Sequence, residues 1–252
     1  MTERRRVVPV LMLAFLAVLC LPRAASAWHD RTHVAIAWAA GFDRWYSAAA
    51  PDVAKLKYPC GAYEGKNHYS HNSAGEPVTP ELVSSQVKQY DRADDLEGHL
   101  YGAIIASLAG YRKLEAAGKF ADYHLVYCAH YIGDLSMPLH NVPYDAFNKA
   151  RHHANDGIIE STAFRDAAEI RSRCYTIEIE NDDDLSREIA RIGEISRQLA
   201  LKMKREERNM SSREALSQAV HSASLFRAVL LYAGRPLMEE DGLFPGAEKA
   251  ER

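Results

Sequence analysis

Residues 120–140 read FADYHLVYCAHYIGDLSMPLH, and the fold class turns on them. The run is predicted to be a strongly apolar helix over 120–135, brought to a stop by Pro138. His130 and Asp134 sit within it. Four residues apart on a helix, they share a face and can point into the same space. Because Pro138 turns the chain, His140 is able to come back to a neighbouring position. Alone, such a pair reads first as a structural hydrogen bond.

The same spacing recurs at His152 and Asp156 in the stretch His-His-Ala-Asn-Asp. Each pair offers one nitrogen and one oxygen from a rigid support, a donor set that suits zinc. His153 could stand in for His152, at the cost of shortening the spacing to Asp156 to three. The arrangement is not the His-Glu-x-x-His of a metalloprotease, because the intervening Glu is absent.

Working outward, the pattern is helical nearly throughout, with no convincing alternating strand. A helix is expected over 31–48, ended by Pro51. Residues 52–79, rich in Pro, Gly and Asn, read as a long loop, and a loop of that length inside a domain tends to be functional. Thr79-Pro80-Glu81 then starts a helix with a cap and a first-turn proline. Helical pattern continues to about residue 117 with a break near Gly98, and returns over 184–205 and 212–233. Asp182-Asp183-Asp184 reads as negative charge at a helix N-terminus. No repeat, low-complexity tract or linker divides the chain. The expectation is all-α: a single compact multi-helix domain.

Residues 1–27 carry Arg4, Arg5 and Arg6, an apolar run over 7–21 interrupted by Pro9, and Ala25-Ser26-Ala27. That is the layout of a cleaved secretory signal peptide. The apolar run is short against the roughly 20 residues of a membrane span. The domain is then residues 28–252, secreted or periplasmic. Without the leader's arginines it is more acidic than the −3 of the whole chain, which excludes a generally basic nucleic-acid footprint. Of the three cysteines outside the leader, Cys60 and Cys174 are the pair expected to form a disulfide, and Cys128 a buried free thiol.

Cleavage after Ala27 makes Trp28 the first residue, with His33 five positions on. A free terminal amine and the carbonyl of the same residue can chelate a metal together, and the amine's reference pKa near 8 makes loss of its proton inexpensive.

In order and combination, Trp28, Asn67-His68-Tyr69, His130…Asp134…His140 and His152…Asp156 resemble the zinc-dependent phospholipases C and the related fungal single-strand nucleases. The resemblance runs from Trp28 to about Thr162, with a weaker helical echo through Ala233. It implies a trinuclear zinc cleft with three zinc ions per chain. One ion would be held by Asp52, His68, His130 and Asp134, and a second by His140, His152 and Asp156. The third would be held by the amine and carbonyl of Trp28, by His33, and by Asp134 acting as a bridge. Asp52 would double as the catalytic base, with Glu64 its alternative if the loop runs differently.

A secreted phosphodiester hydrolase is the function this resemblance implies, phospholipase C leading and a single-strand nuclease or 3'-nucleotidase second. The short spacing from His140 to His152 looks like the phospholipase branch; the short spacing from Trp28 to His33 looks like the nuclease branch. The partner is a phospholipid or a nucleic-acid phosphodiester, with transient membrane-surface contact and no stable protein partner. Tyr58, Tyr63, Tyr69 and Tyr144 are the aromatics that could stack on a base. From another class, a non-catalytic, metal-stabilised helical binding protein would show complete ligation with no open position. His29, His99, His124 and His221 match no ligand position, and His71 is a substrate-contact candidate.

Overall fold

The described part of the computed structural model is residues 28–238 and Phe244; the leader assigned to 1–27 lies outside it. Among the described residues there are ten α-helices and no strand, as the periodicity predicts. The helices are α1 Asp30–Ala39, α2 Ala50–Ala54, α3 Gly61–Glu64, α4 Pro80–Gln86 and α5 Leu100–Ala116. They continue with α6 Asp122–Leu135, α7 Ala146–Asp156, α8 Ala163–Ser172, α9 Asp182–Arg205 and α10 Ser212–Tyr232. They form one compact domain. No described helix is long and apolar enough to cross a membrane.

Local chemistry sets the ends of these helices. The Thr79 side chain accepts from the Leu82 amide with Pro80 in the first turn, and both α9 and α10 begin with reciprocal capping boxes at Asn181 and Ser211. Asp182, Asp183 and Asp184 occupy the first turn of α9, and Lys202, Lys204 and Arg205 its last, matching charge to the helix dipole at both ends. The predicted helix over 31–48 is shorter than expected. It stops at Gly41, whose φ of 88° only glycine adopts without strain, and Pro51 begins α2 rather than ending a helix. The expected loop over 52–79 contains α2's end, α3 and a 3-10 turn at Gly65–His68.

Helix α6 runs through the interior, buried from Leu125 to Leu135 except for Tyr127. One side packs with α5 and α10 through Leu100, Ile104, Leu125, Ile132, Phe226 and Val229. A second apolar cluster, including Trp28, Ile36, Met137, Leu139, Ile170 and Met203, lies toward α1, α8 and α9. No disulfide forms among the described residues: Cys60 is exposed and Cys174 half-buried, while Cys128 is buried as expected. The expected Cys60–Cys174 pair fails because each thiol has a different setting. Cys60 caps α3, whereas the Cys174 thiol lies against the Ile170 carbonyl at the end of α8.

After α6 the chain makes a 3-10 turn at Pro138–Asn141. Its fully buried Asn141 donates to the Leu135 and Met137 carbonyls (3.0 and 2.9 Å) and accepts from the Tyr101 hydroxyl (3.0 Å). Removing the amide strands the Leu135 carbonyl and the Tyr101 hydroxyl in the interior, while the Met137 carbonyl keeps the His140 amide; each unsatisfied group costs about 1–3 kcal/mol. Asn141→Ala is therefore expected to lower unfolding free energy by about 3 kcal/mol. Denaturant titration checks this, and a loss under about 1 kcal/mol would show that the amide does not pin the turn.

Candidate metal centre

Six elements, far apart in sequence, deliver the predicted ligands to one interior region. His33 comes from α1, Asp52 from α2, His68 from the 3-10 turn before Tyr69, and His130 and Asp134 from α6. The Pro138–Asn141 turn adds His140, and α7 adds His152 and Asp156. All eight side chains are buried. They gather into three groups able to hold a metal ion: Asp52, His68 and His130; His33, His130 and Asp134; and His140, His152 and Asp156.

Donor separations are those a small tetrahedral cation imposes. Bonds of 2.0–2.2 Å put neighbouring ligand atoms about 3.3 Å apart. Around His130 Nε2, His68 Nδ1 lies at 3.1 Å, Asp134 Oδ2 at 3.4 Å and Asp52 Oδ1 at 3.5 Å. In the α7 group His140 Nε2 and His152 Nε2 face each other at 3.2 Å, with Asp156 Oδ2 at 3.5 Å from His152. Asp134 divides its oxygens. Oδ2 lies 2.9 Å from His68 Nδ1, while Oδ1 is 3.4 Å from His33 Nε2 and 3.6 Å from His140 Nδ1. One carboxylate thus faces two groups, the geometry of a bridge.

Ring orientation is set from behind. His130 Nδ1 lies 2.8 Å from the Ala48 carbonyl, which can only accept, so this nitrogen donates and Nε2 turns inward with its lone pair. His152 Nδ1 pairs with Asn148 Oδ1 at 2.7 Å, and the same Asn148 donates to the Leu139 carbonyl at 2.8 Å, tying α7 to the turn that bears His140. His68 Nε2 donates to Glu64 Oε1 at 3.2 Å, which also accepts from the Tyr131 hydroxyl at 2.8 Å. Backbone contact locks the pieces together, with the Ser70 amide donating to the His140 carbonyl (2.8 Å).

The residues present fit metal ions. Oδ2 of Asp52, both oxygens of Asp156, Oδ1 of Asp134, both ring nitrogens of His33 and Nδ1 of His140 are buried without a hydrogen-bond partner among the described residues. Such orphans are costly unless a bound group meets them. Burial lowers the pKa of His33 and His140 well below the usual imidazole value, and takes His68 and His152 down to about 4. These rings stay neutral, as a metal ligand must. Burial also lifts the carboxyls of Asp134 and, more strongly, Asp156. For Asp52, burial pushes upward but is outweighed by His130, whose own pKa is raised, and by Lys55, which together hold the carboxyl well below the ordinary carboxylate range.

Two open alternatives resolve. Glu64 lies behind His68 rather than in the cluster, so Asp52 is the α2–α3 segment's ligand candidate. His152 is buried and faces His140, whereas His153 is exposed. Trp28 is buried with its indole N–H unpartnered, and the next amide, of His29, donates to the Asp156 carbonyl at 3.3 Å. The start of the described chain is therefore anchored to the end of α7, beside the cluster. Its expected amine ligation depends on cleavage after Ala27, which lies outside the described residues. The side chains grouped with His33 are His130 and Asp134, and the His33 ring stacks on His130 with centroids 3.7 Å apart.

Sequence reasoning missed Lys55, whose ammonium lies 2.5 Å from Asp52 Oδ1 on the same helical turn and is nearly buried. It also missed Asn148. The signals were present as the i,i+3 pair Asp52/Lys55 and the i,i+4 pair Asn148/His152. Gly133, on α6 beside Asp134, admits the His33 ring, and a Cβ there would overlap the imidazole. His71 stacks against Tyr69 (4.0 Å) and Tyr144 (5.4 Å), beside rather than within the cluster. His99 pairs with Asp95 and His221 with Tyr175, away from the centre.

No protein-family model, curated protein or solved structure matches this chain.

Partners that orient a metal-ligating histidine typically matter 10–100-fold for metal affinity. Glu64→Ala is expected to weaken metal binding by about that factor, and Glu64→Gln, which keeps an acceptor for His68, to restore most of it. Competition titration with a chelating indicator measures this, and equal affinity in Glu64→Ala and the parent would remove Glu64 from the centre.

Proposed function

We propose that this chain is a zinc-dependent phosphodiester hydrolase of the phospholipase C type, cleaving a phospholipid on the glycerol side of its phosphate. The observation that carries the reading is the triple cluster of buried nitrogen and oxygen donors, linked by the two oxygens of Asp134 and left with unpartnered carboxylate atoms. An all-nitrogen and oxygen set without cysteine is compatible with zinc, and three ions are expected. When bound, such ions supply Lewis acidity for a water and for the phosphoryl oxygens.

The protein's own groups do the following. Asp52, nearly buried and kept ionised by its cationic neighbours, accepts the proton of the attacking water as general base. The new bond joins the water oxygen to phosphorus, and the bond to the glycerol oxygen breaks, that oxygen leaving as an alkoxide that takes a proton from solvent while Asp52 returns its own to solvent. Lys55, fixed beside Asp52, places a positive charge where an incoming phosphate needs one. Asp134 sets the spacing between the groups at its two oxygens, and Asn148 and Glu64 hold His152 and His68 in register. No nucleophilic serine or cysteine is called on.

A second reading, hydrolysis of single-stranded nucleic acid, is favoured by the Tyr69–His71–Tyr144 stack, whose last ring is partly exposed and stands edge-on to His152 at 5.9 Å. It ranks second because the stack is filled by its own rings, leaving one outer face for a base.

The test is metal content of the processed protein, with hydrolysis of phosphatidylcholine and of single-stranded DNA measured with and without chelator. About three zinc ions per chain and chelator-sensitive phosphatidylcholine cleavage are expected. Asp52→Asn should lose on the order of 100-fold or more in turnover while keeping its helical circular dichroism. A folded protein that binds no metal and cleaves neither substrate sinks the reading.

A further inference from the structure

Between Asp52 and Glu64 the chain makes an excursion out of the centre and back, and its surface differs from the remainder of the molecule. Both ends are buried at the cluster. Between them Val53 is 56% exposed, Leu56 67%, Tyr58 98% and Tyr63 47%. Four of the large apolar side chains most exposed to solvent therefore lie on one short segment. The segment contains no acidic residue and exposes Lys57, while Lys55 turns inward to Asp52 and Lys66 lies just beyond, in a chain whose net charge is −3. Tyr58, the farthest point, is six residues from either anchor, which limits its reach from the centre to about 20 Å of extended chain.

The loop is also built to keep its shape. Most of its amides are spent within it: Lys57 on Ala54 (3.0 Å), Gly61 on Lys57 (2.7 Å), Tyr63 and Glu64 on Cys60 (3.0 and 2.8 Å). A segment with most of its amides bonded internally carries few unpaired ones toward an apolar medium. Exposed aliphatic and tyrosine side chains flanked by lysine make the composition of a membrane-interface anchor: the apolar tips enter below the headgroups, tyrosine sits at their level and lysine meets anionic lipid.

We propose that residues 53–63 form an interfacial docking loop that seats the metal centre on a phospholipid surface carrying anionic lipid. The proposal deepens the phosphodiesterase reading by naming the form of its substrate, a lipid in a bilayer rather than a dissolved molecule. Nucleic acid is the less suitable occupant, since Val53 and Leu56 offer it no stacking face.

The experiment compares the processed, metal-loaded protein with Leu56→Ser/Tyr58→Ser and with Lys57→Gln, all at exposed positions outside the ligand set. Binding is read by co-sedimentation with phosphatidylcholine vesicles with and without added phosphatidylserine, and activity on soluble bis(p-nitrophenyl) phosphate. The parent should sediment with the phosphatidylserine vesicles. The double variant should lose binding about tenfold or more, and Lys57→Gln about fivefold with increased salt sensitivity in the parent alone. Hydrolysis of the soluble ester should be unchanged in both variants. Vesicle binding that the double variant retains overturns the proposal. So does a loop whose substitution leaves vesicles unaffected but abolishes binding of single-stranded oligonucleotide, or dissolves a dimer of this chain. If vesicles are bound through the loop while no phosphodiester is cleaved, the docking loop stands and the hydrolase reading fails.

Discussion

Asp134 is the constraint around which the molecule is arranged. It sits on α6 with no solvent exposure, and its two oxygens point into different groups of imidazoles. A carboxylate in that setting must either take a proton or meet a cation, and burial lifts its pKa in the first direction. Four of the surrounding histidines supply no charge, because burial holds them neutral, and only His130 has its pKa raised, by the carboxylates of Asp134 and Asp52. Lone pairs and carboxylate oxygens therefore converge on the same small spaces. Divalent ions answer that arrangement, whereas ordinary ion pairing leaves His33 and Asp156 with unpartnered atoms.

Much of this was legible in the sequence, for a physical reason. Helical spacing brings positions four apart onto one face whatever surrounds them, so His130/Asp134 and His152/Asp156 could be paired before any fold was known. Capping chemistry is equally local, and Thr79-Pro80 and the start of α9 were readable for that reason. Where the reading went astray, distant contacts decide. Gly41 ends α1 early while packing against Leu237, and nothing near Pro51 in sequence reveals that it opens a helix pinned by Asp52 to the centre. The cysteines failed similarly, since pairing depends on where two remote segments come to rest. Glu64 is the most instructive position. In the sequence it stood as the alternative to Asp52, and only the fold places it behind the His68 ring and Asp52 in front.

The helical architecture follows from the same requirement. Eight side chains contributed by elements between residues 33 and 156 must be held to within fractions of an ångström, and a bundle does this by locking each donor against its own scaffold. Asn148 spans α7 and the turn of His140, the Ser70 amide joins the His68 strand of chain to that turn, and the His29 amide fixes the chain's start to the end of α7. These cross-links satisfy buried backbone groups and position ligands at once, so the polar interior that would be a defect in an ordinary core becomes the means of assembly.

A centre this rigid also explains why contact with the outside is delegated to a short excursion of chain. The ligands cannot move to meet a large substrate without breaking their shared carboxylate, so the surface that meets it has to be carried separately yet stay close. Residues 53–63 meet both conditions, because Asp52 and Glu64 clamp the ends in the interior while the segment's own turn hydrogen bonds hold the apolar tips outward. On the proposed reading, recognition and chemistry are joined through two buried carboxyl groups rather than through a hinge: Asp52 at one end of the loop, and Glu64, against the His68 ring, at the other.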